Sequence, residues 1–240
     1  LMSKFQMTFI TILILTTLSG VFSRIPVQFS WPVTSVSALG TRTQVSFDMD
    51  AARAPAVTVR SRLPLLSTFA REVKNQNSQT VVGVYVPGEF ALPVVQQPHG
   101  QAAYVSTEPD TITQFSLAEK YGAVGLLAHN YLSGEEFFKL KPNQYIIVLF
   151  GDGRMDYYRV TAAESYQALV PNSPYSDFVN LDDPTGKVIT SSELFKHVYA
   201  RPDTLVFQTC INANGDPSWG RLFVTAEKVD IRQGQIMASN

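Results

Sequence analysis

NQYIIVLFGDGRMDYYRVTAAE, residues 143–164, is the plainest structural signal in the chain. Two runs rich in β-branched and aromatic residues flank Gly151-Asp152-Gly153. Such runs fit a pleated surface, and a short glycine-containing link between them reads as a β-hairpin turn. The same pattern repeats on both sides. Upstream, TVVGVYVP (80–87) and FALPVVQ (90–96) read as strands joined through a Pro-Gly turn, and QAAYVS (101–106) reads as a third. AVGLLAH (123–129) is apolar but too short for a typical helix, so it is expected to be a buried strand. Downstream, DTLVFQT (203–209) and RLFVTAEKV (221–229) supply the last two strands.

Three segments follow a helical period instead. RLPLLSTFAREVKNQ (62–76) spaces Leu63, Leu66, Phe69, Ala70 and Val73 on one face. TITQFSLAEKYG (111–122) is expected to form a helix through Ile112, Phe115, Leu117 and Ala118, with Gly122 as its C-cap. TSSELFKHVYA (190–200) is a helix with Ser191 or Ser192 as N-cap and Glu193 in the first turn. Many short strands with brief helices point to a mainly β fold, an antiparallel barrel or a sandwich.

Composition narrows the function. The 240 residues carry 19 basic and 20 acidic side chains, and no basic block interleaves with aromatics. That excludes the electrostatic footprint of nucleic-acid binding. Lys4 precedes the apolar run TFITILILTTLSGVFS (8–23), a charged n-region followed by an h-region, which reads as an export segment. Small residues at Ser23 and Ala38 offer two cleavage points, and the run also approaches the ~20 residues of a membrane anchor. The expected organisation is an export signal or anchor with the start of a stalk over 1–38, and stalk plus linker helix over 39–78. A β-domain over 79–230 and a tail over 231–240 complete it.

Export sharpens the meaning of Cys210, the one cysteine in the chain. It has no partner for an internal disulfide, so it is an inert buried thiol, an intermolecular link or a reactive group. Cys210 follows DTLVFQT, His129 closes AVGLLAH and Arg221 opens RLFVTAEKV. A thiol beside an imidazole can attack a carbonyl while the imidazole protonates the leaving amine. A guanidinium stays charged and can support the resulting oxyanion. His99, in a turn, and His197, in the third helix, are the other two histidines and lack comparable surroundings. No metal or cofactor is expected, because one cysteine and three scattered histidines show no ligand spacing. Asp177, Asp182 and Asp183 form an acidic loop that reads as solvated.

At these residues the chain resembles a family. LVFQTC (205–210), followed after a short step by WGRLFVTAEKV (219–229), is similar to the C-terminal signature of sortases, the cysteine transpeptidases of bacterial cell envelopes. GLLAHNYLSGEEFFKLKPNQYIIVLFGDGRMDYYRV (125–160) resembles their histidine segment, and VGVYVPG with ALPVV (82–95) their opening strands. The resemblance implies a closed eight-stranded β-barrel with short helices. It implies Cys210 as nucleophile, His129 as acid/base, and Arg221 as a support for the oxyanion or a holder of the substrate backbone, in a groove at strand ends. Thr209 is kept from the family's signature and is a groove candidate. Gln208 alternates along the strand to the face of Cys210 and either lines the groove or is solvated, and Trp219 beside Arg221 either walls the groove or caps the barrel. The resemblance implies surface proteins with a C-terminal sorting motif as substrates and an envelope amine, of peptidoglycan or a pilin, as acceptor. It also implies a place outside the cytoplasm, held to the membrane by the N-terminal segment. Two departures stand out: Val206 and Phe207 replace the family's Thr-Leu, and residues 104–122 are unlike its common form. No sortase class follows. A peptidase relative that releases product to water and a non-catalytic envelope binding module are the competing readings.

Overall fold

The structure, a computed structural model, describes residues 63–173 and 175–230. The expectations for the N-terminal export segment, the stalk and the C-terminal tail lie outside these residues. The order is α1 (Leu66–Val73), β1 (Val81–Val86), β2 (Phe90–Gln96), β3 (Ile112–Phe115), α2 (Ser116–Glu119) and β4 (Val124–Leu127). A 3-10 helix (Ser133–Lys139) leads to β5 (Tyr145–Phe150) and β6 (Met155–Ala168). Then come β7 (Phe178–Asn180), β8 (Val188–Ile189), α3 (Ser191–Tyr199), β9 (Thr204–Ala213) and β10 (Asp216–Lys228).

Eight strands pair in the order β10-β9-β4-β3-β2-β1-β5-β6, and β6 returns to β10, which closes the ring. Closure leaves none of these eight with a free edge. β7 and β8 extend from β6 outside the ring. The expectation of a mainly β fold with a closed eight-stranded barrel and short helices is met. It is not purely antiparallel, because β2–β3 and β4–β9 pair in parallel.

Side-chain alternation divides the buried residues into an inside and an outside. Val84, Leu92, Ile112, Leu126, Phe207 and Val224 belong to the interior core. Phe115, Leu127, Val206, Tyr199 and Phe223 form a second cluster on the outer face beneath α3. A third joins Phe69 of α1 to Val82 and Leu149. This explains why VVGVYV and YIIVLF read as unbroken apolar runs: both their faces are covered. Gly83 makes the α1 contact possible, since a Cβ there would meet the Phe69 ring at 3.0 Å.

Several local expectations are corrected. Residues 101–106 form no strand; the Gln97 amide donates to the Ala102 and Tyr104 carbonyls at 2.9 Å each, where a ladder would have done so. The helix expected over 111–122 is strand β3 followed by one turn, α2, because Ile112 to Gln114 pair in parallel with Val94 to Gln96. Gly122 does end that turn, at φ +77°. Thr190, one residue earlier than expected, caps α3 through a capping box with Glu193. The last two strands are longer than expected. Asn214 and Gly215 both have positive φ and make the tight turn of one hairpin, so Cys210 and Arg221 lie within strands.

Candidate active site

β9 places the thiol. Leu205 and Phe207 point into the barrel, so Val206, Gln208 and Cys210 share its outer face. Arg221 of β10 is the direct antiparallel partner of Cys210. Such partners have Cβ atoms roughly 5 Å apart on one face of the sheet. On the other side of β9, Leu127 of β4 pairs in parallel with Gln208. The Ala128 amide donates to the Gln208 carbonyl at 3.3 Å, and Thr209 Oγ1 donates to the Ala128 carbonyl at 2.9 Å. These bonds carry β4 alongside β9 to His129, two residues past its last ladder pair, on the register of Cys210. The fold thus aligns Cys210 and Arg221, on β9 and β10, with His129, two residues beyond the end of β4.

The imidazole is half-buried and its ring stacks on Tyr131, with centroids 5.1 Å apart and planes 23° from parallel. Its carbonyl accepts from the Leu132 and Gly134 amides at 3.0 Å each, which starts the turn into the 3-10 helix. Burial draws the His129 pKa below the usual histidine range, against a smaller opposing effect of the Val105 main chain.

Arg221 has no exposed surface. Its Nη1 donates to the Ser218 and Gly220 carbonyls at 2.7 and 2.8 Å, and Nη2 donates to the Pro171 carbonyl at 3.2 Å. Its Nε is buried and has no partner among the described residues. Cys210 is 4% exposed. Burial pushes its thiol pKa up, while the Arg221 charge and the Ser218 hydroxyl pull it down, and Asp216 adds a small upward effect. The rise dominates, so burial favours the neutral form of each group, thiol and imidazole.

The remaining expected site residues are placed differently from one another. Gln208 is 3% exposed and accepts the Tyr199 hydroxyl at 2.6 Å, beneath α3. Thr209 is 1% exposed and sits on the interior side of β9. Neither side chain is open to solvent. Trp219 is half-buried in the irregular stretch of β10 between Asp216 and Gly220. His99 is exposed in the β2–β3 connection, and His197 pairs with the Glu164 carboxylate at 3.0 Å. Among the described residues, no three His, Cys, Asp or Glu side chains converge as metal ligands.

Sequence reasoning missed Ser218, Asn130 and Tyr131. Asp216-Pro217-Ser218 reads as ordinary turn chemistry, and only the folded hairpin shows that its Ser218 carbonyl holds the Arg221 guanidinium. Asn130 Nδ2 donates to the Pro217 carbonyl at 3.0 Å and so ties the histidine segment to the hairpin that carries Cys210 and Arg221.

No family model and no curated protein matches the chain. Solved structures similar to it include sortase A from Corynebacterium diphtheriae, at 16% identity and TM-score 0.43, covering 65% of this chain and 63% of that one. Sortase C1 from Streptococcus suis is similar at 14% identity and TM-score 0.44, over 70% of this chain and 81% of that one. Clostridium perfringens sortase C with a C-terminal cell wall sorting motif is similar at 15% identity and TM-score 0.37, over 65% and 75%. The chain therefore spans less than two thirds of the Corynebacterium protein's length.

Proposed function

We propose that the barrel is a sortase-like cysteine transpeptidase. Cys210 Sγ attacks the carbonyl carbon of a peptide bond as its proton passes to His129. The C–S bond forms and the carbonyl oxygen takes up negative charge. When that intermediate collapses, the C–N bond breaks and the imidazolium gives its proton to the leaving amine. A thioacyl enzyme remains. An acceptor amine then attacks the same carbon, His129 takes its proton, and the C–S bond breaks to return the sulfur. The Arg221 guanidinium lies across the ladder from the sulfur and stabilises the oxyanion in both halves.

One observation carries this reading: the single thiol is paired across strands with a fully buried arginine that retains, among the described residues, an unused N–H, and a half-buried histidine follows the end of the strand at the other side. A buried charge with a spare donor is costly for a merely structural residue. It suits a site where negative charge develops during reaction. The substrate is a protein carrying a sorting motif and the acceptor is an envelope amine, in keeping with the sequence resemblance. The N-terminal apolar segment serves export and anchoring. Among the described residues, no helix is long and apolar enough to cross a membrane.

The test is the intact mass of the protein after incubation with a pentapeptide library, with and without triglycine. Wild type should gain a thioester adduct and release triglycine-linked product. Cys210→Ala should do neither, and Arg221→Lys should be slower by roughly 10²–10³ in kcat, as for loss of an oxyanion donor. An adduct that resolves only to hydrolysed peptide would replace transfer with peptidase activity. Product formation undiminished in Cys210→Ala would overturn the assignment.

A further inference from the structure

Ser218 is 1% exposed, and among the described residues its hydroxyl has no hydrogen-bond partner. Buried hydroxyls are nearly always partnered, because burying one alone costs free energy. The backbone around it is held from three sides. The Asp216 carboxylate accepts the Ser218 amide at 2.7 Å. The Ser218 carbonyl accepts Arg221 Nη1 at 2.7 Å. The preceding Pro217 carbonyl accepts Asn130 Nδ2 at 3.0 Å. The Ser218 carbonyl holds Arg221, the cross-strand partner of Cys210, and this sets the unbonded hydroxyl beside the thiol, close enough to draw the thiol pKa down.

We propose that Ser218 is a further catalytic residue of the site proposed above, its Oγ–H donating to the Cys210 sulfur once that sulfur is a thiolate. A neutral thiol is a weak acceptor, so at rest the contact is a weak one that draws the thiol pKa down without closing a well-formed hydrogen bond. When the proton leaves for His129, the sulfur becomes a strong charge-assisted acceptor and the hydroxyl gains its partner. Arg221 and Ser218 then divide the work: the hydroxyl holds the sulfur, while the guanidinium, already bound to three carbonyls, keeps Nε for the oxyanion. The same bond would re-form when the thioacyl intermediate breaks down and the sulfur leaves as a thiolate. The step needs no group beyond those on the page.

The experiment is the rate of Cys210 alkylation by iodoacetamide as a function of pH, together with thermal unfolding, in wild type and Ser218→Ala. Hydrogen bonds to charged groups are strong enough that the alanine variant should show its apparent thiol pKa raised by about one unit. Alkylation near neutral pH should slow roughly tenfold. Its Tm should be unchanged or higher, since the substitution removes a buried unpartnered group. An unshifted alkylation profile would overturn the proposal. So would a shift that comes with a fall in Tm, or failure of the variant to fold, because either means that the hydroxyl was already supporting the structure. The assay requires no peptide. A wild type that never acylates, beside a shifted alanine profile, would sink the transpeptidase reading and with it the catalytic role of Ser218, and would leave only the Ser218–thiolate bond standing.

Discussion

A guanidinium with no exposed surface is expensive to keep, and the way Arg221 is held bears on its use. Three carbonyls repay much of its desolvation, yet none comes from a carboxylate and Nε is left over. The positive charge therefore stays available to the sulfur and to an incoming oxyanion. Cys210 and His129 are tuned in opposite directions, the thiol upward and the imidazole downward, both chiefly by burial. In the proposed mechanism the reactive pair, thiolate with imidazolium, carries the same number of protons as the neutral pair, thiol with imidazole. Below the His129 pKa both groups are protonated, and above the Cys210 pKa neither is. kcat/KM should therefore form a broad plateau. Its acid limb should lie below the ~6.5 of an ordinary histidine and its alkaline limb above the ~8.5 of an ordinary thiol. A profile narrower than that interval would mean the two groups are not the ones that titrate.

At the scale of elements, the site depends on how the segment after β4 is pinned to β9. The His129 carbonyl starts the 3-10 helix by accepting the Leu132 and Gly134 amides. Gly134 is buried there, and a Cβ on it would run into Thr209 Oγ1 and the His129 carbonyl. Thr209 in turn donates to Ala128. Gly134→Ala should thus lift the helix off β9, costing about 1–3 kcal/mol as overpacked substitutions do. It should also slow acylation more than it slows alkylation of Cys210, because it displaces the histidine and leaves the thiol strand in place. Denaturant unfolding and the two rates check this. Equal loss of both rates would mean that the whole hairpin moved.

For the whole molecule, closure by the β6–β10 pairing leaves large tyrosines packed in the wall. Burial pushes Tyr158 and Tyr166 up to about 12, helped by nearby Asp156 and Glu164 respectively. In the unfolded chain these phenols ionise near ~10. A raised folded pKa means that the stability is fully present below pH ~10 and is lost as pH climbs toward about 12. The urea midpoint should hold steady through neutral pH and then fall across that window. Tyr158→Phe should flatten part of the fall, and an alkaline limb unchanged by it would assign the loss elsewhere.

The sequence by itself determined the elements whose pattern is local. The 143–164 hairpin, the buried strand before His129, helices α1 and α3, and the residue types of the site are all written in period, turn residues and composition. Tertiary structure decided what depends on partners. Ile112 to Gln114 became a strand because β2 offered a parallel ladder, although their local pattern is helical. Cys210 moved from a strand end to a strand interior because Asn214-Gly215 turns the chain directly onto β10. Gln208 and Thr209, adjacent in sequence, parted to opposite faces, one under α3 and one inside the barrel. Ser218 acquired its setting only when the β4 and β9–β10 segments met through Asn130. Such meetings join residues up to 87 positions apart, and no local pattern records them.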